Sequence, residues 1–168
     1  MLIECYFMED DGSLPEVEVQ FSEPSAVVRA FTYLFTCGAR NITVGGPRIW
    51  VKATKAEREF AGSQDSEQVI SGVVEPFHVV LGSINFCGVI LPDIGVWIDP
   101  SSLTLDYRMG SEWGQAEIQA FFNLLRQLKQ MGASISVPWW GAKGELAFRQ
   151  AVSVSPNTAL QPTAYGGG

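Results

Sequence analysis

The residue types able to make or break bonds are scarce in this chain. His78 is its sole histidine, and it sits inside the apolar run FHVVLG (77–82) with Phe77 and Val79 beside it. Nucleophilic catalysis needs a serine or cysteine held against such a base. Cys37 or Cys87 would have to reach His78 through the fold, and no GxSxG motif is present. A lone histidine in a strand reads first as a structural residue whose ring is satisfied by a neighbour. Metal ligation has no sequence support: HExxH and paired cysteines at ligand spacing are absent. The acidic run Glu9-Asp10-Asp11-Gly12-Ser13 lacks the spaced oxygens and closing glutamate of a calcium loop. Gly45-Gly46 matches no phosphate-binding loop. Asp93 and Asp99 stand beside prolines in turns, where aspartate is favoured by bonding to its own backbone. The expectation is therefore no catalytic residue, no metal and no cofactor.

Recognition has better support, and it centres on LTLDYRMGSEWG (103–114). The stretch alternates, with Leu103, Leu105, Tyr107 and Met109 on one side and Thr104, Asp106 and Arg108 on the other. Asp106 and Arg108 then form an exposed pair contributing under about 1 kcal/mol. Ser111 is a suitable helix N-cap, and Glu112 in the first turn suits the helix dipole. Trp113 and Tyr107 add the aromatic-plus-arginine composition of interface hot spots. In ISVPWW (135–140), adjacent tryptophans on a strand face opposite ways, so one enters the core and the other is exposed or covered by the following helix. The candidate partner-binding residues are Asp106, Arg108, Glu112, Trp113 and Trp140, with the acids Glu16 and Glu18.

The elements that position these residues follow from periodicity. LIECYFM (2–8) and EVEVQFS (16–22) predict a first hairpin, the second strand alternating Val17, Val19 and Phe21 against Glu16, Glu18 and Gln20. Val27, Val28, Phe31, Leu34 and Phe35 predict a helix over about 23–37, capped by Ser22 or Glu23 and closed by Gly38. Residues 42–44 and 47–53 read as a second hairpin around Gly45-Gly46, and the polar stretch 54–68 as a surface helix or a mobile loop. Strand signals follow at 69–74, 77–82, 89–92, 94–99 and 103–109. A long helix is predicted over about 112–131, then an edge strand at 135–140 and a short helix at 142–152. The fold class is α+β: residues 1–153 form one domain with a largely antiparallel sheet and two main helices on it, and 154–168 form a disordered or loosely packed tail.

The bulk composition agrees. A chain of 168 residues with 46% hydrophobic and 17% charged residues fills a core without disulfides. The net charge of −7 repels nucleic acid and suits a cationic partner. Three cysteines without a CxxC read as reduced thiols in a reducing compartment. The N-terminus lacks a basic region followed by an apolar core, and no apolar run approaches the roughly 18 residues of a membrane span. A cytoplasmic protein with no membrane partner is expected.

In size, acidity and architecture, residues 1–153 resemble the polymorphic-toxin immunity proteins of bacteria, without a motif matched residue by residue. The tail NTALQPT is similar to tails on otherwise unrelated bacterial reading frames. The resemblance implies a non-catalytic bacterial protein that neutralises a cognate basic toxin. Glu16, Glu18, Asp106 and Glu112 would then steer the partner, and Trp113 and Trp140 would anchor it. Two other classes stay open: an enzyme or small-ligand binder with a pocket between sheet and helices near His78, Cys87 or Asp106, and a homodimer subunit joined through an edge strand.

Overall fold

The computed structural model describes residues 3–154, and the predicted tail from 155 onward lies outside them. In chain order the elements are α1 (Cys5–Met8), β1 (Glu16–Phe21), α2 (Pro24–Thr36), β2 (Arg40–Asn41), β3 (Arg48–Val51), β4 (Ala56–Glu59), α3 (Asp65–Ile70) and β5 (Phe77–Gly82). They continue as β6 (Asn85–Phe86), β7 (Val89–Ile90), β8 (Ile94–Ile98), β9 (Ser102–Tyr107), α4 (Gln115–Gln130), β10 (Ala133–Ser136), a 3-10 turn (Pro138–Trp140) and α5 (Gly141–Ser153). Six strands form an antiparallel sheet in the order β10-β1-β9-β8-β5-β2, and β3-β4 and β6-β7 are separate hairpins. The described residues form one α+β domain.

The alternation seen in the sequence decides which face is covered. Val17, Val19 and Phe21, Phe77, Val79 and Leu81, Ile94, Val96 and Ile98, and Leu103, Leu105 and Tyr107 are all buried. Each set points to the side where α2 supplies Val27, Phe31 and Leu34 and α4 supplies Phe121, Phe122, Leu125 and Leu128. Glu16, Glu18, His78, Trp97, Thr104 and Asp106 alternate to the opposite face and remain half-buried or exposed.

Several expectations need correction, each for a tertiary reason. Within the predicted strand at 2–8, the described residues 3–8 are not a strand. One helical turn there delivers Phe7, wholly buried, into a ring cluster with Tyr107 (4.9 Å between centroids), Trp113 (5.0 Å), Phe121 and Phe122 (5.9 Å each). The first hairpin is accordingly absent, and β1 lies between β9 and β10. Gly45 and Gly46 do turn the chain with positive φ, but β3 pairs downstream with β4, Arg48 opposite Glu59 and Trp50 opposite Glu57. The polar stretch 54–68 thus contains a strand. It also contains the start of α3, which takes up residues 69–70 of the predicted strand at 69–74; of the rest, Val74 alone makes a bridge, to Val51. At the N-terminus of α3 the buried Asp65 accepts bonds from the Arg58 guanidinium and the Ala61 N–H (2.7 Å each), and this lock sets the helix start.

The long helix begins at Gln115, not at Glu112. Its N-cap is Gly114, whose N–H donates to the Glu117 carboxylate (3.0 Å). The residues before it form a turn, because Trp113 is drawn into the core and its indole N–H donates to the Arg108 carbonyl (2.8 Å). Glu23 occupies the N-cap of α2 without a side-chain cap bond. The last strand stops at Ser136. It is an edge strand as expected, but Pro138 starts the 3-10 turn that carries both tryptophans, and only Trp139 is exposed. In α5, Phe148 and Val152 are buried whereas Leu146 is exposed.

Candidate functional site: the uncovered sheet face and an acidic aromatic cleft

Strand register brings three of the sequence-selected acids together. On the uncovered face Glu16 lies opposite Asp106, and Glu18 opposite Thr104. Across β8, Asp106 faces Gly95 and Thr104 faces Trp97; across β5, Trp97 faces His78. His78 and Asp106 are therefore two strands apart and diagonal, with Gly95 between them. The glycine has no side chain, so the Asp106 carboxylate lies over it and accepts a 2.7 Å hydrogen bond from His78 Nε2–H. A Cβ at Gly95 would come within 2.5 Å of the Asp106 Cγ and Oδ2. The imidazole is 36% exposed and the carboxylate 21%. The Asp106 hydrogen bond raises the His78 pKa above the ordinary imidazole value, with partial burial opposing it.

This pairing replaces the expected Asp106–Arg108 pair. Arg108 lies just past the end of β9, where alternation no longer governs it, and its guanidinium is 3.6 Å from the Asp10 carboxylate. Glu112 is exposed in the turn before α4. Trp113 is fully buried and Trp140 nearly so, so neither is a surface anchor. The aromatic that does stand on the face is Trp97, 39% exposed, its indole N–H donating to Asp99 (2.6 Å). His78 is on the face away from the helices, so the expected pocket between sheet and helices does not include it. Cys37 caps α2 and Cys87 sits in the β6–β7 turn, off the face that carries His78. Burial, and then these two thiols, push the Tyr33 hydroxyl up. Among the described residues no group of three or more His, Cys, Asp or Glu side chains is placed to hold a metal ion.

At the end of β1 where Glu16 begins, the face runs into a cleft of about 770 Å³. Its apolar wall is built from Tyr6, Leu14, Pro15, Met109, Trp139 and Trp140, and its carboxylates are Glu9, Asp11 and Glu16. The wall is pinned from below. The Tyr6 ring stacks on Trp140 at 4.3 Å, and its hydroxyl donates to the Trp140 carbonyl (2.9 Å). The Tyr107 hydroxyl donates to the Tyr6 carbonyl (3.0 Å). The acidic loop is fixed by two successive aspartate turns, Asp10 accepting from Gly12 N–H and Asp11 from Ser13 N–H (2.9 Å each). The Ser13 bonds hold the Asp11 carboxyl below the usual carboxylate range. Trp139 is 78% exposed at the rim. The sequence did carry a signal for this site, in Glu9–Ser13 followed by Leu14-Pro15, but the approach of Trp139 from the far end of the chain was not visible in it.

The chain matches no protein-family model, no curated protein and no solved structure. Among the described residues no helix is long and apolar enough to cross a membrane.

Proposed function

We propose that this protein is a non-catalytic binding protein for a basic protein partner, in the manner of an immunity protein that occludes a cationic toxin, and that the uncovered sheet face is the docking surface. The observation that carries this reading is the grouping of Glu16, Glu18 and Asp106 on adjacent strands around a half-exposed Trp97. Strands about 4.8 Å apart and some 17 Å long make a six-stranded face on the order of 400 Å², a large share of the ~800 Å² one partner contributes to a standard interface. A rigid aromatic amid carboxylates supports both steering and anchorage, and the net charge of −7 acts in the same direction at long range.

The test is capture of a partner from the source cells by the full chain, followed by measurement with the purified pair. A basic partner is expected to dissociate as salt is raised to about 0.5 M, and Glu18→Lys or Trp97→Ala is expected to weaken it. A complex indifferent to salt and to both substitutions sinks the reading.

The His78–Asp106 bond favours one second reading, an enzyme that uses the imidazole as general base. In the neutral ring Nε2–H is committed to Asp106, which leaves Nδ1 with the lone pair. Turnover of a substrate that is lost in His78→Gln and in Asp106→Asn would establish that reading instead.

A further inference from the structure

We propose that the cleft between the 9–15 loop and the 3-10 turn seats a lysine- or arginine-bearing peptide segment of the partner; this rests on the reading of the partner as a basic protein. The walls carry the argument together with the charge. Lysine and arginine combine an apolar stem with a cationic head, and this cleft offers both environments side by side. Leu14, Met109 and the Tyr6–Trp140 stack line it with apolar surface, while Glu9, Asp11 and Glu16 supply three carboxylates and no lining residue supplies a cation. Trp139, 78% exposed at the rim, presents an indole to a cationic head, a geometry that attracts ammonium and guanidinium groups.

The volume of about 770 Å³ is that of a site for a short segment, not for a bare ion. Other occupants fit poorly. Residues 155–168 of this chain, SPNTALQPTAYGGG, contain no lysine or arginine. A second copy brings the same net charge of −7. Glu16 lies both in the cleft and on the sheet face, so a partner spread over the face reaches the cleft without a gap.

The experiment titrates the full chain with acetyl-Ala-Lys-Ala-Lys-Ala-amide, its arginine counterpart and its glutamate counterpart, read by calorimetry and tryptophan emission. Saturable binding of the two cationic peptides near or below about 1 mM is expected, with none of the glutamate peptide. Trp139→Ala, an exposed site that leaves the fold intact by circular dichroism, is expected to weaken binding about 5-fold. Glu9→Gln with Asp11→Asn is expected to weaken it about 10-fold and to flatten its salt dependence. Equal binding of the glutamate peptide, no binding of any peptide, or no effect of these variants overturns the proposal. So does tighter peptide binding after truncation at Val154, which would make the tail the occupant, or a self-associated chain that Trp139→Ala turns monomeric. A captured partner that is lost in Glu18→Lys but unaffected by the cleft variants refutes the cleft alone. Cationic peptides that bind the cleft of a chain with no basic partner refute the broader reading alone.

Discussion

Replacing Gly95 by alanine should disconnect His78 from Asp106 while leaving both residues in place. Gly95 lacks a positive φ, so its backbone accepts a side chain. The new Cβ would lie 2.5 Å from the Asp106 Cγ and Oδ2, closer than any real contact. The carboxylate is the free end of a short side chain and swings away, and the 2.7 Å bond to Nε2 is lost with it. The pair is partly solvated, at 36% and 21% exposure, so its worth is that of a screened ion pair, up to about 1 kcal/mol. Its pH dependence has a definite sign. The Asp106 bond raises the folded-state pKa of His78, so the pair's contribution is complete below the unfolded imidazole value of about 6.5 and is lost as pH rises through the folded value. The alanine itself gains about 0.5–1 kcal/mol at all pH, because glycine loses more backbone entropy in a strand. Near pH 5.5 the two effects should nearly cancel, and near pH 8.5 the variant should be the more stable, a relative change of about 2–4 °C in Tm for a chain of this size. The assay is clean because the chain has one histidine: a single imidazole C2–H resonance reports the titration, and calorimetry at the two pH values reports the stability. If that resonance titrates with the same midpoint in wild type and Gly95→Ala, or if the Tm difference is the same at both pH values, His78 and Asp106 are not coupled and the reasoning fails.

Four substitutions, compared in two pairs, test the packing. Arg58→Met strips the counter-ion from the buried Asp65 and should cost about 3–5 kcal/mol, more than Asp65→Ala, which leaves a guanidinium still 30% exposed to water; urea unfolding of the two variants compares them. Trp113→Ala opens a hole among Phe7, Tyr107 and Phe121 and should cost about 3–5 kcal/mol, whereas Trp139→Ala should stay within about 0.5 kcal/mol of wild type. Thermal melts of that pair separate a core tryptophan from a surface one.

What the sequence revealed, and what it withheld, divides along the range of the interactions. β1 and β9 were legible because each buries one face against the helices and alternates in sequence, and β5 and β8 because each is a short apolar run; α2 and α4 were legible because each buries a stripe. The segment at 2–8 and the 69–74 run were misread because local apolarity does not say whether a strand ladder or a ring cluster will take up the side chains, and Phe7 and Val69 went to helical turns. The strand at 56–59 was missed because its sequence, AERE, owes its conformation to pairing with Arg48–Val51. The same division governs the site. Glu16, Glu18 and Asp106 could be assigned to an outward face from alternation alone. Trp113 lay beyond the end of the alternating strand, so the rule that placed Asp106 said nothing about it, and Trp97 was masked by apolar neighbours in IGVWI. The bond between His78 and Asp106 required the strand order β5-β8-β9. The tight turn at 99–101 implies the β8–β9 half of it, but the 83–93 connection does not imply the other half. Gly95 is the trace of that bond in the sequence: a glycine inside an otherwise bulky, apolar strand marks a place where something must approach the backbone closely, and here that visitor is the carboxylate of the neighbouring strand on its way to the histidine beyond.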